Sequence, residues 1–281
     1  MNYFNRVGFM QGRLSPIVNG CIQSFPWDNW ENEFLSAEKL NFDLMEWTLD
    51  QERLHENPLL NAHGQEKIRA LCKHHKISIP SLTGDCFMQS PIWKSQSSER
   101  IKLERDFIKI VEGSIAIGIT MIVFPLVDNG RLENLNQENN LIFFLQEHAE
   151  FLAAKDIKIL FESDYSALEL ARFIDRLDPN LFGINYDIGN SAALGFKPSE
   201  EIASYGLRIM NVHIKDRMLG GTTVPLGMGN ACFDEIFTEL SKINYQGNFI
   251  LQTARAIDEN HANILSSYRD MTINWLKNYA I

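Results

Sequence analysis

Four apolar stretches in the second half of the chain each end in, or next to, a polar side chain that can bind a metal ion. These side chains are Glu162, Asp187, His213 and Gln252. Two carboxylates, an imidazole and an amide oxygen suit a divalent cation of intermediate hardness, such as Mn²⁺, Co²⁺, Zn²⁺ or Mg²⁺. Such an ion could polarise a carbonyl and stabilise the anion formed when a neighbouring proton is removed. Each residue alone could be a hydrogen-bonded strand end, but all four on strand tips in one sector favour a metal site.

These side chains can meet only if their strands lie side by side in a parallel sheet. Residues 182–217 show the repeating unit, in which a buried strand ends in a charged residue and leads through a helix to another such strand. Helical segments are predicted at residues 30–40, 64–75, 101–117, 138–155, 167–177, 199–205, 234–243 and 263–279. The apolar strands that alternate with them are predicted near residues 6–12, 42–47, 77–83, 121–127, 157–162, 182–187, 209–214 and 249–254.

Eight such units predict one domain, residues 1–281, folded as a (β/α)₈ TIM barrel of the α/β class. In this fold the carboxyl ends of the strands converge on the active site. An open doubly wound sheet is the alternative, but no G-x-G-x-x-G pattern follows the first strand to support a dinucleotide site.

Composition excludes several classes of function. A formal net charge of -10 over 281 residues argues against binding to nucleic acid, which depends on clustered Lys and Arg. No apolar run reaches the ~18 residues of a membrane span, and no secretory signal opens the chain, so a cytoplasmic location is expected. The four cysteines form no C-x-x-C pair, and we expect them to be reduced and mostly buried.

Further polar side chains are predicted near the same mouth. Lys215 is expected to contact the substrate or its enediolate, and the peptide N–H groups around Gly227 and Gly229 are a candidate anion cradle. Lys215, Arg217 and Arg255 could hold a phosphate or a sugar hydroxyl, although an ion pair between Lys215 and Asp216 would explain that lysine equally well. The residues predicted to contact the substrate are Gln11, Arg13, Glu46, Asp85, Asn190, Arg217 and Arg255.

Three motifs resemble a known family, the xylose isomerase-like sugar isomerases and epimerases, many of which act on sugar phosphates. The motifs are Tyr-Asp-Ile-Gly-Asn at 186–190, Val-His-Ile-Lys-Asp at 212–216 and Pro-Leu-Gly-x-Gly at 225–229. The segment Gln-Ser-Phe-Pro-Trp at 23–27 is also similar, and the resemblance covers nearly the whole chain. It implies a TIM barrel whose metal ligands are Glu162, Asp187, His213 and the strand-eight residue 252.

Gln252 departs from the family pattern, in which this position is a glutamate that exchanges a proton with the substrate. Glu162 can act as the general base and as a ligand, but an amide has no exchangeable acid proton near neutral pH. Asp85, Lys215 or Glu46 could take the second proton role. Alternatively, the reaction needs only one base, as in a dehydration, or the barrel binds a sugar without catalysis.

The resemblance therefore implies a metal-dependent sugar or sugar phosphate isomerase or epimerase. It would act by proton transfer next to a carbonyl of a ketose or related polyol, with catalytic roles for Glu162 and Lys215. The expected partner is a small sugar, with or without phosphate, and not nucleic acid or a membrane; homo-oligomerisation is left open. The DNA-repair endonuclease branch of the same superfold is disfavoured, because it uses extra histidine ligands, one of them in the region where this chain has Asn190, and because the chain is strongly negative.

Overall fold

Eight parallel strands form a closed barrel in the computed structural model, which describes residues 6–281. Each strand pairs with the next one along the chain, and β8 pairs with β1 to close the barrel. The predicted TIM barrel is therefore confirmed. The strands are β1 (Val7–Met10), β2 (Leu44–Thr48), β3 (Ser78–Thr83), β4 (Met121–Leu126), β5 (Lys158–Ser163), β6 (Phe182–Asp187), β7 (Ile209–Ile214) and β8 (Asn248–Leu251).

Helices follow the strands and cover the outside of the barrel. They are α1 (Asn32–Lys39), α2 (Ala62–His75), α3 (Asp85–Gln89), α4 (Ser97–Ile117), α5 (Leu135–Glu147), α6 (Ala149–Ala154), α7 (Ala167–Ile174), α8 (Ile188–Leu194), α9 (Pro198–Tyr205), α10 (Phe233–Lys242) and α11 (His261–Tyr279). None of the helices in the described part of the chain is long and apolar enough to cross a membrane.

The strands of the barrel are mostly buried, because both faces of a parallel sheet are covered in this fold. All six residues of β6 are buried, and Phe161 on β5 lies in register with Ile184 on β6. Outside the barrel, Phe161 packs edge to face against Phe173 of α7, with ring centroids 5.1 Å apart. Such packing fixes the strands, and hence the positions of the side chains at their ends.

The structure differs from the sequence-based expectation at a few elements. The helix predicted over residues 138–155 is divided at His148 into α5 and α6. The short helices α3 and α8 were not predicted, and neither was a two-stranded antiparallel ribbon formed by Asp216–Arg217 and Thr223–Val224. All four cysteines are unpaired, but only Cys86 is fully buried, so the expected burial is wrong for the exposed Cys21 and Cys232.

One buried carboxylate links helices α5 and α7. Glu138 on α5 has no exposed side-chain surface, and it accepts hydrogen bonds from Arg172, Arg176 and Tyr165. The hydrogen bond from Arg172 is the largest of several interactions that lower the pKa of Glu138. These interactions stabilise the charged form of Glu138. They therefore contribute to the stability of the fold above the pKa of an unfolded glutamate, which is about 4.3.

We predict that Glu138→Gln lowers the free energy of unfolding at pH 7 by ~1.5–3 kcal/mol, the range for hydrogen bonds to charged groups. The difference from the wild type should persist down to about pH 5 and shrink below about pH 4, as the wild-type carboxylate becomes protonated. Urea denaturation at several pH values measures it. Glu66→Gln, at an exposed position of α2, is the control. An equal difference at all pH values would contradict the role of the charge.

Candidate metal and substrate site

Three of the four predicted metal ligands lie together at the carboxyl ends of neighbouring strands. Glu162 belongs to β5, Asp187 ends β6 and His213 belongs to β7, and all three are buried. One ligand atom from each residue lies within 4.8 Å of the others. Two carboxylate oxygens and an imidazole nitrogen at this spacing could hold one divalent cation.

The imidazole of His213 is oriented by two carboxylates. Its Nε2 lies 2.7 Å from Oε1 of Glu46, and its Nδ1 lies 3.2 Å from Oε2 of Glu162. The side-chain amide of Asn185 lies 3.0 Å from Nδ1. An Nε2–H that donates to Glu46 leaves the Nδ1 lone pair facing the cluster, which is the tautomer that a metal site requires.

Charge and burial together set the protonation of this cluster. Burial alone would lower the pKa of His213, but the carboxylates of Glu46 and Glu162 outweigh it and raise this pKa to about 10. Burial, and then the nearby charge of Asp187, raise the pKa of Glu162. A proton on Nδ1 thus competes with a cation for the same position, as expected for a metal ligand.

Glu46 lies beneath the site and not on its wall. It is in the middle of β2 with no exposed surface, and it accepts hydrogen bonds from Ser81 at 2.6 Å and from the Asn211 side chain at 3.0 Å. Its contact with His213 therefore positions that ring, and the predicted contact with substrate does not fit this placement.

Lys215 supplies a positive charge beside the cluster. Its ammonium donates to Oδ2 of Asp187 at 3.2 Å, to Oδ1 of Asn190 at 3.2 Å and to Oε1 of Gln252 at 3.1 Å. These three bonds use all the donors of an ammonium group. The ion pair that Lys215 forms is with Asp187, and so the alternative pairing with Asp216 is not the one observed.

Gln252 connects the cluster to Asp85, one of the three candidates for the second proton role. Its amide oxygen accepts from Lys215, and its Nε2 donates to Oε1 of Gln23 at 2.7 Å. Gln23 in turn donates to Oδ2 of Asp85 at 2.6 Å. Burial, and then the neighbouring carboxylate of Asp50, raise the pKa of Asp85 to about 7. Asp85 can therefore exchange a proton near neutral pH, which Gln252 cannot.

A cavity of about 430 Å³ opens at this end of the barrel. Its volume is that of a small-molecule site. The predicted site residues on its wall are Asp85, Glu162, Asn190, Lys215, Arg217 and Gln252, and the unpredicted charged residues on it are Asp128, Arg131 and Asp164.

Four residues predicted to contact the substrate are not on this wall: Gln11, Arg13, Glu46 and Arg255. Gln11 is fully buried and accepts from the N–H of Thr48, while the buried Arg13 donates to the carbonyl of Ile22. Arg255 donates to the carbonyls of residues 12 and 15. Burial, and then the like charge of Arg255, lower the pKa of Arg13 to about 9. These side chains hold the loop after β1.

The glycine-rich loop does not form the predicted anion cradle, because its N–H groups are already paired. Asp216 is fully buried, and its carboxylate accepts hydrogen bonds from the N–H groups of Gly227 and Gly229 at 2.9 Å and of Ala231 at 3.1 Å. A Cβ atom at Gly229 would lie 2.2 Å from Oδ1 of Asp216, so this glycine permits the close approach of the carboxylate. The carboxylate of Asp216 thus holds the glycine-rich loop in place.

Sequence reasoning missed the two asparagines beneath the ligands. Asn185 lies two residues before Asp187 on β6, and Asn211 lies two residues before His213 on β7. Residues two apart on a strand face the same side of the sheet. Buried amides on the interior face of a barrel need partners, so this period-two spacing was a usable signal for the polar layer.

The protein is a closed parallel barrel with a candidate metal site of two carboxylates and an imidazole at the carboxyl end of its strands. This combination is typical of α/β barrels with an active site at that end. The family model described as "Xylose isomerase-like TIM barrel" matches residues 34–278, and the chain therefore belongs to this family. The predicted family resemblance is confirmed.

Individual relatives include epimerases and dehydratases. The chain is 24% identical over 244 residues to "Putative L-ribulose-5-phosphate 3-epimerase SgbU" of Haemophilus influenzae, covering 79% of this chain and 83% of that protein. It is 32% identical over 103 residues to an inosose dehydratase of Bacillus anthracis, covering 30% of this chain and 34% of that protein. The match to the dehydratase thus spans about a third of its length.

Solved structures support the same fold. A xylose isomerase domain protein from Planctomyces limnophilus has a TM-score of 0.77 at 16% identity, covering 99% of both chains. D-allulose 3-epimerase from Methylomonas sp. has a TM-score of 0.74 at 16% identity, covering 98% of this chain and 100% of that one. The IOLI protein, solved with a binding zinc atom, has a TM-score of 0.73 at 16% identity, covering 98% of this chain and 99% of that one.

Asp216→Ala should destabilise the glycine-rich loop, because three N–H groups would lose their acceptor inside the protein. We expect the free energy of unfolding to fall by about 3 kcal/mol, and cleavage within residues 218–231 to accelerate. Urea denaturation and limited proteolysis measure these effects. Asp216→Asn keeps one acceptor oxygen, so its free energy of unfolding and its rate of cleavage should lie between those of the wild type and of Asp216→Ala. If neither stability nor cleavage changes in Asp216→Ala, the carboxylate does not organise the loop.

Proposed function

We propose that this protein is a metal-dependent enzyme that transfers a proton next to the carbonyl of a ketose or related polyol, as an isomerase or epimerase does. The observation that carries the proposal is the buried cluster of Glu162, Asp187 and His213, whose ligand atoms lie within 4.8 Å of one another. The cluster adjoins a cavity of suitable size, and family membership supports the assignment.

The donor set fits a divalent ion, with Glu162, Asp187 and His213 as the ligands and Gln252 as a neutral fourth donor. For Gln252 to serve, its oxygen must turn from the ammonium of Lys215. Mn²⁺, Co²⁺, Zn²⁺ and Mg²⁺ are the candidates, and the zinc atom in the IOLI structure supports a site of this kind. Bound there, the ion would supply Lewis acidity to a substrate carbonyl.

Glu162 is the proposed general base. It lies on the cavity wall, and its carboxylate accepts hydrogen bonds from the side-chain amides of Asn185 and Asn190, which fix its orientation. A raised pKa suits a base that must release its proton again. Lys215 lies on the same wall, and its three donors are directed at Asp187, Asn190 and Gln252. If the oxygen of Gln252 turns to the ion, one of these donors becomes available to stabilise negative charge on a substrate oxygen.

Returning a proton to the other side of the substrate would require a second titrating group. Gln252 cannot be that group, whereas Asp85 lies on the cavity wall and is connected to Gln252 through Gln23. Two-sided proton transfer would therefore use Glu162 and Asp85. A one-base dehydratase is the second candidate function, favoured by Gln252 and by the similarity to inosose dehydratases.

Metal content is the first test. We expect the purified protein, incubated with each candidate ion and then desalted, to retain close to one ion per chain, and Asp187→Asn to lose it. Elemental analysis measures this. Asp164→Asn removes a carboxylate from the same cavity outside the ligand cluster, and it should retain the ion. A wild-type protein that holds no ion would refute the metal-dependent function and leave a sugar-binding barrel.

Measurements of turnover test the role of Glu162 as the general base. In the metal-loaded protein, Glu162→Gln should lower kcat by about 10²–10⁴, the usual contribution of a general base. Product formed in D₂O distinguishes the two candidate functions, because epimerisation places deuterium on the carbon whose configuration inverts, whereas dehydration releases water. Asp85→Asn should abolish epimerisation but leave a one-base dehydration. Saturable sugar binding without turnover of any ketose or inosose would refute the catalytic role.

Gln252→Glu tests the departure from the family pattern. A carboxylate would add a third anion to the ligand set, so we expect metal affinity to rise by about tenfold or more. Competition with a chelator at fixed pH measures the affinity, and Gln89→Glu on the same cavity wall is the control. An unchanged affinity would mean that residue 252 does not ligate the ion.

A further inference from the structure

We propose that Gln23, on the loop after β1, is a positioning residue that selects the oxygen through which Asp85 exchanges its proton. This inference rests on the proposed function, in which Asp85 is the second group of a two-sided proton transfer, and it adds a residue to that reaction. It follows from a chain of hydrogen bonds that starts at the ammonium of Lys215, passes through the amides of Gln252 and Gln23, and ends at Asp85.

The direction of this chain follows from the donors and acceptors of its members. The ammonium of Lys215 can only donate, so the atom of Gln252 that faces it at 3.1 Å is the amide oxygen. The amide nitrogen of Gln252 then donates to Oε1 of Gln23 at 2.7 Å. The nitrogen of Gln23 is left to donate to Oδ2 of Asp85 at 2.6 Å. Oδ2 is therefore an acceptor and carries no proton.

A second donor holds the amide of Gln23 in the same orientation. Nη2 of Arg13 lies 3.4 Å from Oε1 of Gln23, and a guanidinium, like an ammonium, has donors only. When the oxygen of Gln252 turns to the ion, Arg13 still requires an oxygen at this position. The amide nitrogen of Gln23 thus remains directed at Asp85 in both arrangements of Gln252.

The backbone around Gln23 is anchored on both sides. Before it, Arg13 donates from Nη1 to the carbonyl of Ile22 at 2.8 Å. After it, the N–H of Phe25 donates to the buried carboxylate of Asp50 at 2.7 Å. These contacts place the side chain of Gln23 on the cavity wall, so its orientation does not depend on the amide chain alone.

Oδ1 is the oxygen of Asp85 that remains for the substrate. It has no hydrogen-bond partner among residues 6–281, and it is not fully buried. Asp85 itself is 8% exposed and lies on the cavity wall. A proton on Asp85 is therefore carried by Oδ1, the oxygen that is open to the cavity.

The hydrogen bond from Gln23 also suits the charge that forms during proton return. The Oδ1–H bond of Asp85 breaks as the anionic substrate carbon forms a C–H bond, and the electron pair of the broken bond stays on the carboxylate. The new negative charge is shared with Oδ2, at which the N–H of Gln23 is already directed. Gln23 can therefore stabilise this charge without any reorganisation.

Several charges act on Asp85 together with this hydrogen bond. Burial, and then the carboxylate of Asp50, raise the pKa of Asp85 to about 7, whereas the hydrogen bond from Gln23 lowers this pKa. A donor to the carboxylate favours its charged form, so loss of Gln23 should raise the pKa of Asp85 further. The charged groups that act on Asp85 from other elements are Asp50 after β2, Glu162 on β5, Lys215 after β7 and Arg13 on the loop after β1.

Titration of Asp85 tests the link without any turnover. The full chain is labelled with ¹³C at the side-chain carboxyl of aspartate and studied by NMR, as purified and after loading with Zn²⁺, and Asp85→Asn assigns the signal. We expect Gln23→Met, which keeps the length of the side chain but has no N–H donor, to raise the titration midpoint of Asp85 by about one pH unit. An unchanged or lowered midpoint would overturn the proposal.

Gln89→Met is the matched control for this titration. Gln89 also lies on the cavity wall, but its amide donates to Oδ1 of Asp50 at 3.2 Å and not to Asp85. We expect no rise in the midpoint of Asp85 in this variant. An equal rise in Gln89→Met and Gln23→Met would overturn the proposal, because any lost polar contact in the wall would then have the same effect.

Deuterium exchange separates positioning from a general loss of structure. The metal-loaded chain is incubated in D₂O with D-fructose, D-allulose, L-ribulose or L-ribulose 5-phosphate. Glu162 alone can exchange deuterium into the starting sugar, whereas inversion also needs Asp85. We expect Gln23→Met to lower inversion relative to exchange by about tenfold. A variant that loses both in equal measure would overturn the proposal, since a loosened loop would do the same.

The proposal and the proposed function fail on different results. A wild-type protein that turns over none of these sugars would refute the proposed function, and the titration would still decide whether Gln23 controls Asp85. A working epimerase in which the midpoint of Asp85 does not respond to Gln23→Met would leave the proposed function standing and overturn the role of Gln23.

Discussion

The site depends on a fully buried imidazole that lies between two carboxylates from different strands. His213 contacts Glu46 through Nε2 and Glu162 through Nδ1. Buried carboxylates cost several kcal/mol unless they are paired and hydrogen-bonded. Asn185 and Asn190 donate to Glu162, and Asn211 and Ser81 donate to Glu46. The interior of the barrel is therefore a connected polar layer and not a purely apolar core. A connected layer of this kind fixes the ligand atoms before any ligand arrives.

Lys215 and Gln252 are best understood together. The interior holds three carboxylates, those of Glu46, Glu162 and Asp187, and the two groups that can balance them are the imidazole of His213 and the ammonium of Lys215. A glutamate at position 252 would add a fourth carboxylate, in contact with Lys215. The neutral amide instead accepts from Lys215 and donates to Gln23, which extends the polar network toward Asp85.

The repeating pattern of strands and helices was enough to predict the barrel, because each buried strand is followed by an amphipathic helix over most of the chain. It also placed Glu162, Asp187 and His213 on neighbouring tips, since consecutive parallel strands bring their ends together. Helix α8 was missed because Gly189, Asn190 and Ser191 are typical of a turn, whereas Asp187 caps the first turn through the N–H of Asn190. The role of Glu46 could not be inferred, because its depth in the barrel depends on strand register.

Two internal carboxylates accept hydrogen bonds from clustered N–H groups of two loops around the mouth, and one of these loops is the glycine-rich loop that the sequence suggested as an anion cradle. Glu33 is fully buried and accepts from the N–H groups of Gly12 and Leu14, and Asp216 does the same for the glycine-rich loop. Clustered N–H groups attract an anion whether it belongs to a ligand or to the protein. Burial raises the pKa of Glu33 to about 7, even though these hydrogen bonds favour its charged form. In both loops the clustered N–H groups already bind a carboxylate of the protein. Their glycines therefore shape the loops, and the side chains of the cavity wall are left to bind the substrate.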